Sequence, residues 1–517
     1  MTQNVFHGTP DLQGDLVWEM SAKELGLSPQ AIWNSSPSVT NFTGYYGLPH
    51  LVTQGTTFEM QESASRFSPP PFAVAIRGDK GERVLLTVVA DAGHHLFATV
   101  EYLAEETGVK VKVELEGHSD PTLEKEHIWV EMTEAQPEES EMALLKRGFA
   151  HAYPQASHPR KSYDWWKLPI YCAAGSCIAS AFHLAGKPGG EAQHMLLESE
   201  WVIQHQLDLL DEAEVPWKTL IIDCGWSPGG VWTKPYPGRW PDLKDFIARQ
   251  HAKGHKVLLW LGLWFTGGLP EKWCIKARPG ATMQKWNPLS GKDVFARLEE
   301  PERFWADAGN EEYLAFVAQQ VRTLVSPEGF DADGFKLDML QQTPCERFAQ
   351  GREHWDEPLK LLKGEHEKAT CSNGKWGCEL LHDLQKTIYD AAKSVKPDAL
   401  INSSTVHPYF ADTFDMMRLH DTCRIEADTD VFALMSQRAA LAKAALPMHE
   451  VDADNWIHSY YEKWMDYTLN SWKLGTPCLF YTDRFLMSFT EAPGTCPIPR
   501  EDLQKLGKNW RDVFALK

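Results

Sequence analysis

The chain has 517 residues, enough for two or three domains with a sizeable hydrophobic core. Its 51 Lys and Arg residues against 71 Asp and Glu residues give a net charge of −20, which disfavours nucleic acid and anionic membranes as partners. Hydrophobic residues make up 43% and charged residues 24%, typical of a globular protein and not of a disordered one. Because we find neither a bilayer-spanning apolar run nor a signal-like N-terminus, we expect a cytoplasmic protein.

Three residue types limit the kinds of functional site that we expect: cysteine, histidine and tryptophan. None of the ten cysteines lies in a C-x-x-C pair, so we expect reduced thiols and no zinc site. The histidines also lack metal-ligand spacing, and we predict neither a metal nor another cofactor. The 21 tryptophans are an unusual excess, and indole faces pack well against sugar rings. This composition favours a carbohydrate site.

Residues 1–160 contain short apolar runs separated by Gly, Pro and polar turns. The alternation in Val109-Lys-Val-Lys-Val-Glu-Leu is typical of a strand with one buried face. We therefore predict an N-terminal β-sandwich domain over residues 1–160.

From about residue 165 the pattern changes to apolar strands alternating with amphipathic helices, which predicts a (β/α)8 TIM barrel over residues 161–517. The strands are predicted at Leu168-Pro-Ile-Tyr-Cys, Thr219-Leu-Ile-Ile-Asp, Val257-Leu-Leu-Trp-Leu-Gly-Leu, Gly334-Phe-Lys-Leu-Asp, Ala399-Leu-Ile-Asn, Phe414-Asp-Met-Met-Arg-Leu, Ala445-Leu-Pro-Met-His-Glu-Val and Cys478-Leu-Phe-Tyr. The helices are predicted at 194–213, 242–253, 310–325, 379–395, 431–444 and 459–474. Residues 404–413, between strands five and six, are barely enough for a helical crossover.

Two long connections, residues 266–309 and 340–378, follow strands three and four. Loops at the carboxyl ends of barrel strands build the substrate pockets of such enzymes. These loops contain Trp273, Trp286, Trp355 and Trp376. We therefore expect much of the tryptophan excess at the functional face.

Carboxylates follow four of the predicted strands: Asp223, Asp338, Asp421, and Asp452 with Asp454. A carboxylate at the end of a buried strand is costly unless it is paired or used. Any one of them could be a structural cap or an ion-pair partner. Because four strands share the feature, a common pocket is the better explanation.

Lys336 and Asp338 lie two residues apart on strand four, so their side chains project to the same side. A neighbouring cation keeps a carboxylate ionised, as a nucleophile requires, although a structural ion pair has the same pattern. Asp421 could supply the second carboxyl group of a retaining glycosidase, roughly 5 to 5.5 Å from the first. The alternative proton donors are Glu426, Asp428 and Asp430.

Four segments resemble strand-end motifs of the α-galactosidase/α-glucosidase clan of glycoside hydrolases (clan D), most closely the melibiase-like family 36. They are Leu220-Ile-Ile-Asp-Cys-Gly-Trp, Leu261-Gly-Leu-Trp-Phe, Gly329-Phe-Asp-Ala-Asp-Gly-Phe-Lys-Leu-Asp and Arg418-Leu-His-Asp-Thr. The likeness covers residues from about 165 to 485, and Gly-Phe-Lys-Leu-Asp is its most specific part.

The resemblance implies a retaining, exo-acting α-glycosidase with a carbohydrate substrate. It implies that Asp338 is the nucleophile, that Asp421 is the acid/base, and that Arg418 is the charge partner of the acid/base. It leaves open a homo-oligomer.

The resemblance also implies substrate contacts. Lys336 and Asp223 match residues that hold sugar hydroxyls, and Trp226 and Trp264 match aromatic wall positions. The family usually has paired aspartates after strand two, whereas Cys224 follows Asp223 here. The sugar and its linkage therefore stay open.

Three other functions fit parts of the pattern. One is an α-transglycosylase of the same fold, and another is a carbohydrate-binding homologue without turnover. A third is a lyase or aldolase that uses Lys336 as a Schiff base, which requires a depressed lysine pKa.

Overall fold

The computed structural model describes residues 4–35, 44–55, 72–185, 197–276, 282–287, 292–297, 303–340, 343–345, 369–419, 421, 423–488 and 494–514. It contains a β-sandwich followed by a (β/α)8 barrel, which confirms the predicted fold class. The proposed domain division at residue 160 lies between the last sandwich strand and the first barrel strand, and it stays a prediction. In the described residues, no helix has the length and apolar character needed to cross a membrane.

The sandwich consists of two antiparallel sheets. The first has the strand order Asn4–His7, Ile128–Glu134, Arg83–Ala90, Ala73–Gly78, Pro29–Asn34, Tyr45–Gly47. The second has the order Thr9–Pro10, Leu16–Ser21, Gly108–Val113, Thr99–Glu105, His50–Gly55. In Gly108–Val113 the three valines are buried and Lys110 is exposed, because successive side chains alternate between the two faces.

A helix, Glu141–Ala152, follows the sandwich and connects it to the barrel. Ser140 caps its first turn by accepting from the backbone N–H of Ala143 (3.3 Å). Gly148 allows close packing on the strand Arg83–Ala90, since a Cβ there would lie 2.5 Å from the side chain of Leu85.

The eight barrel strands are parallel and, in chain order, follow one another around the sheet. Strands one to eight are Ile170–Cys172, Thr219–Ile222, Lys256–Gly262, Gly334–Asp338, Leu400–Ser403, Met416–Arg418, Glu450–Asp452 and Cys478–Leu479. The ring closes between strands seven and eight. There the N–H of Thr476 donates to the carbonyl of Val451 (2.7 Å), and the N–H of Ala453 donates to that of Thr476 (2.8 Å).

The longer helices of the barrel region are Ala174–Ala185, Glu200–Glu212, Leu243–Ala252, Glu311–Val325, Gly377–Val395, Val431–Ala445, Tyr461–Asn470 and Arg500–Phe514. Asn310 caps Glu311–Val325 by accepting from the N–H of Tyr313 (3.2 Å). The prediction for strand seven was wrong at its start. The preceding helix still includes Ala445, and the strand begins only at Glu450.

The connection between strands five and six contains one 3-10 turn, Pro408–Phe410, and no crossover helix in residues 404–415, all of which are described. Residues from the N-terminal 160 residues cover this part of the barrel instead. The buried ring of His407 contacts those of Phe72 and Tyr153, with centroids 5.2 and 5.1 Å apart. Arg160 donates to the backbone carbonyl that precedes strand six (2.6 Å).

The amino-terminal end of the barrel, which we call the foot, has a network of charges around Asp333. This buried carboxylate contacts His251 (2.7 Å), Lys256 (2.9 Å) and Lys396 (3.5 Å). Burial alone would raise the pKa of Asp333, but the hydrogen bond from His251 and the two ammonium groups outweigh it and lower the pKa to about 2.

Candidate active site

Asp338 ends strand four at the opposite end of the barrel, which we call the mouth, where its side chain is 19% exposed. Its Oδ2 accepts from the indole N–H of Trp260 (2.9 Å), and its Oδ1 accepts from the backbone N–H of Met339 (2.9 Å). Lys336 lies 3.7 Å away and Arg418 lies 3.5 Å away. Two donors and two cations therefore surround one accessible carboxylate.

Lys336 is buried and makes its closest ion pair with Asp223, at the end of strand two (2.7 Å), and not with its strand neighbour Asp338. Burial would lower the pKa of Lys336, but the charge of Asp223 outweighs it and raises the pKa well above the usual value. Burial would likewise raise the pKa of Asp223, but Lys336 outweighs it and lowers that pKa. Both groups are therefore charged at neutral pH, and the thiol of Cys172 also donates to Asp223 (3.2 Å).

Arg418 ends strand six, is 1% exposed, and contacts three carboxylates. Its guanidinium lies 2.5 Å from Asp421, 2.5 Å from Asp454 and 3.5 Å from Asp338. Asp421 is 28% exposed, so both it and Asp338 are accessible at the mouth. Burial by the surrounding protein and the neighbouring carboxylates outweigh the charge of Arg418 and raise the pKa of Asp421 to about 6.

Trp226 and Trp264, at the implied aromatic wall positions, are both buried in protein. Trp226 is 0% exposed and donates its indole N–H to the backbone carbonyl of Trp260 (2.9 Å), and Trp264 is 1% exposed. In this structure Trp226 supports strand three from the loop after strand two.

Sequence analysis missed Glu198, which lies just before the helix Glu200–Glu212 and is 0% exposed. Burial, and next the charge of Asp223, raise the pKa of Glu198 well above its usual value, so it holds a proton at neutral pH. In the sequence it reads as an acidic residue near a helix start, and no local pattern indicates its burial.

Asp452, at the end of strand seven, is a second buried carboxyl group with a raised pKa. Its Oδ2 accepts from the side-chain amide of Asn402 on strand five (2.7 Å). Burial and the neighbouring Asp454 carboxylate raise the pKa of Asp452 to about 7. The side chains of strands two, four, six and seven therefore form one cluster, as the shared strand-end carboxylates predicted.

The alternative proton donors have other environments. Asp430 caps the helix Val431–Ala445 by accepting from the N–H of Ala433 (2.9 Å). Glu426 and Asp428 are exposed.

The two loop tryptophans with described side chains do not contact the strand-end residues at the mouth, contrary to the expectation that they line the functional face. Trp376 is fully buried, stacks on His118 of the sandwich (3.7 Å) and donates to Glu116 (2.7 Å). Trp273 packs against Phe316 on a barrel helix (5.0 Å). The side chain of Trp286 and all of Trp355 lie outside the described residues.

One group in the described residues has the spacing of metal ligands: Glu379, His382 and Asp383, with ligand atoms within 4.8 Å of one another. Each already has a protein partner. Tyr409 donates to Glu379 (3.0 Å), His382 pairs with Asp412 (3.1 Å), and Lys375 pairs with Asp383 (2.5 Å). We therefore assign no metal to this group.

No protein-family model matches the chain, and no curated protein matches it by sequence. Solved structures share its fold. The cycloalternan-degrading enzyme from Trueperella pyogenes aligns with a TM-score of 0.59 at 12% identity, covering 97% of this chain and 67% of that chain. A xylosidase from Aspergillus niger aligns with a TM-score of 0.59 at 12% identity, covering 99% and 66%. An α-galactosidase from Thermus thermophilus, in complex with stachyose, aligns with a TM-score of 0.53 at 15% identity, covering 98% and 96%.

The chain spans about two thirds of the length of the first two of these proteins. At these identities the similarity shows the fold, a barrel preceded by a sandwich. The cycloalternan-degrading enzyme has also been solved in complex with a covalent intermediate.

Proposed function

We propose that the protein is a retaining, exo-acting α-glycosidase that hydrolyses terminal α-linked sugars through a covalent intermediate on Asp338. The observation that carries this proposal is that a single guanidinium, that of Arg418, contacts both accessible carboxyl groups, Asp338 and Asp421. A shared cation keeps two carboxyl groups near each other. Retaining glycosidases need such a pair, roughly 5 to 5.5 Å apart.

In the first step, Asp338 attacks the anomeric carbon while Asp421 protonates the departing oxygen. A carboxyl group with a pKa of about 6 keeps its proton in slightly acidic solution, as a general acid requires. In the second step, the ionised Asp421 takes a proton from water, and this water releases the sugar from Asp338. Asp421 thereby regains its proton.

The charged pair of Lys336 and Asp223 lies beside the nucleophile and offers an ammonium donor and a carboxylate acceptor to sugar hydroxyls. The same pair argues against a Schiff-base lyase. That chemistry needs a neutral amine, whereas the pKa of Lys336 is raised.

The structural similarities support the same class of reaction. Two of the three similar proteins are named as a xylosidase and an α-galactosidase, and the third degrades cycloalternan. We include in this proposal the resemblance to family 36. The sugar that the protein accepts has to be found by experiment.

The test is a panel of nitrophenyl α- and β-glycosides of galactose, glucose, N-acetylgalactosamine, xylose, rhamnose and fucose. We expect release of nitrophenol from at least one α-glycoside and its loss, by at least about a thousandfold, in Asp338→Asn. Asp79→Asn, the same substitution at an exposed site of the sandwich, serves as the control and should keep wild-type rates.

Two further readouts complete this test. The sugar anomer that is released first, identified by NMR, should be α, because a retaining enzyme keeps the configuration of the α-glycoside. Products at high substrate concentration distinguish hydrolysis from transglycosylation. Wild-type turnover in Asp338→Asn would contradict the assignment of the nucleophile.

A further inference from the structure

Trp260 lies in the interior of the barrel, next to the charged residues of strand four. In the parallel register of strands three and four, Trp260 is opposite Lys336 and Gly262 is opposite Asp338. Because side chains two residues apart share a face, all four positions face the same side of the sheet. Trp260 is 3% exposed, so its indole belongs to the packed interior just below the mouth.

Gly262 makes room for the indole to reach Asp338. A Cβ at residue 262 would lie 2.5 Å from Cη2 of Trp260, so the ring occupies the space that a side chain would fill. From there the indole N–H donates to Oδ2 of Asp338 (2.9 Å). Phe265 also packs edge-on against the indole of Trp260, with ring centroids 5.5 Å apart, and this contact helps to hold the indole in place.

The backbone of Trp260 is fixed as well. Its carbonyl accepts from the indole N–H of Trp226 (2.9 Å), which links the loop after strand two to strand three. The nucleophilic carboxylate is thus held at both oxygens, by the indole on Oδ2 and by the N–H of Met339 on Oδ1. A carboxylate held at both oxygens loses little rotational freedom when it attacks.

We propose that Trp260 is a positioning residue for the nucleophile, and that Gly262 is required for it to reach Asp338. This inference rests on the proposed function, since it assigns Asp338 the attacking role. The indole N–H holds the carboxylate in one orientation, and a hydrogen bond to a charged acceptor is stronger than one between neutral groups.

The first test is Trp260→Phe, which keeps an aromatic ring and removes the N–H. With the nitrophenyl α-glycoside that the wild type cleaves best, we expect kcat/KM to fall about 10- to 100-fold with little change in KM. The loss should lie in kcat and not in KM, because the substrate still binds but meets a carboxylate that is less well oriented. A tryptophan that only packs the interior would not lower kcat alone.

The matched control is Trp510→Phe. Trp510 lies on the helix Arg500–Phe514 and is 0% exposed, and its indole N–H has no hydrogen-bond partner. This variant should lose packing as Trp260→Phe does, yet keep the wild-type kcat and KM.

Gly262→Ala is the second variant and keeps the inference testable if Trp260→Phe fails to fold. Its Cβ should displace the indole, with the same loss of kcat and little change in KM. If the wild type cleaves a glycoside and the folded variants keep its kcat, the inference about Trp260 is wrong and the proposed function stands. If the wild type cleaves none of the glycosides, the proposed function fails and the role of Trp260 fails with it.

Discussion

Strand four carries a carboxylate near each of its ends, and the surroundings of the two differ. At the foot, the buried Asp333 contacts His251, Lys256 and Lys396, and the more exposed Asp331 shares His251 and Lys396 with it. At the mouth, the two cations Lys336 and Arg418 have more carboxyl groups around them than they can neutralise. Those carboxyl groups are Asp223, Asp338, Asp421 and Asp454, and the buried carboxyl groups of Glu198 and Asp452, whose pKa values are raised, lie close by.

The difference shows how one strand can serve both stability and chemistry. At the foot, burial would raise the pKa of Asp333, but the hydrogen bond from His251 and the ammonium groups of Lys256 and Lys396 lower it to about 2, so its charge is fixed over the whole neutral range. At the mouth, burial and the neighbouring carboxylates raise the pKa of Asp421 to about 6 and that of Asp452 to about 7. These two groups can therefore gain and lose protons near neutral pH, as the proposed general acid/base catalysis needs, whereas Asp333 cannot.

The largest expected effect is on catalysis at the mouth. Asp421→Asn should lower kcat/KM by about 100- to 10,000-fold, because the amide cannot donate or accept the transferred proton. In the wild type, kcat/KM should fall as the pH rises through about 6, where Asp421 loses its proton. Steady-state profiles from pH 4 to 9 would show this limb in the wild type and not in the variant. An unchanged alkaline limb in Asp421→Asn would assign the acid to another group.

A smaller effect is expected on stability at the foot. Asp333→Asn should lower the free energy of unfolding by about 3 kcal/mol at pH 7, because it leaves buried cations without their partner. Since the folded-state pKa is depressed, this stabilisation is present above about pH 4 and is lost as the pH falls towards about 2. Urea unfolding at several pH values measures it. Asp331→Asn, a more exposed partner of Lys396, is the control and should cost about 1 kcal/mol or less.

The same substitution at the mouth should have the opposite sign. Asp452→Asn should raise the free energy of unfolding by about 2 kcal/mol at pH 8 and leave it unchanged at pH 4. The folded-state pKa of Asp452 is raised to about 7, so the wild type loses stability as the pH rises from about 4 to 7, and an amide does not. If Asp452→Asn were less stable than the wild type at pH 8, the expected difference between the mouth and the foot would be wrong.

The strand-end residues could be predicted from the sequence because a buried parallel strand appears as a short apolar run that ends in a polar residue. An apolar run followed by Asp223, or by Lys336 with Asp338, indicates both the strand and the end of it that lies at the mouth. The sequence also predicted that side chains from four strands meet. It did not indicate that Lys336 pairs more closely with Asp223 than with Asp338, because that depends on the register between strands.

Trp260 and Glu198 could not be recognised in the same way. Trp260 lies within an apolar run, where a tryptophan reads as packing, and its partner is set by the missing side chain of Gly262. Glu198 lies outside the strands and is buried only through tertiary contacts. The start of strand seven was misplaced because Ala445 belongs to a helix whose apolar residues continue the pattern of a strand.

The missing crossover helix between strands five and six has a consequence for the modularity of the protein. A barrel normally carries its own outer layer, but here aromatic residues of the preceding chain, Phe72 and Tyr153 among them, cover the turn around His407. In a fragment starting at residue 161, the turn around His407 would therefore lose the residues that cover it. The sandwich and the barrel should therefore unfold in one cooperative transition.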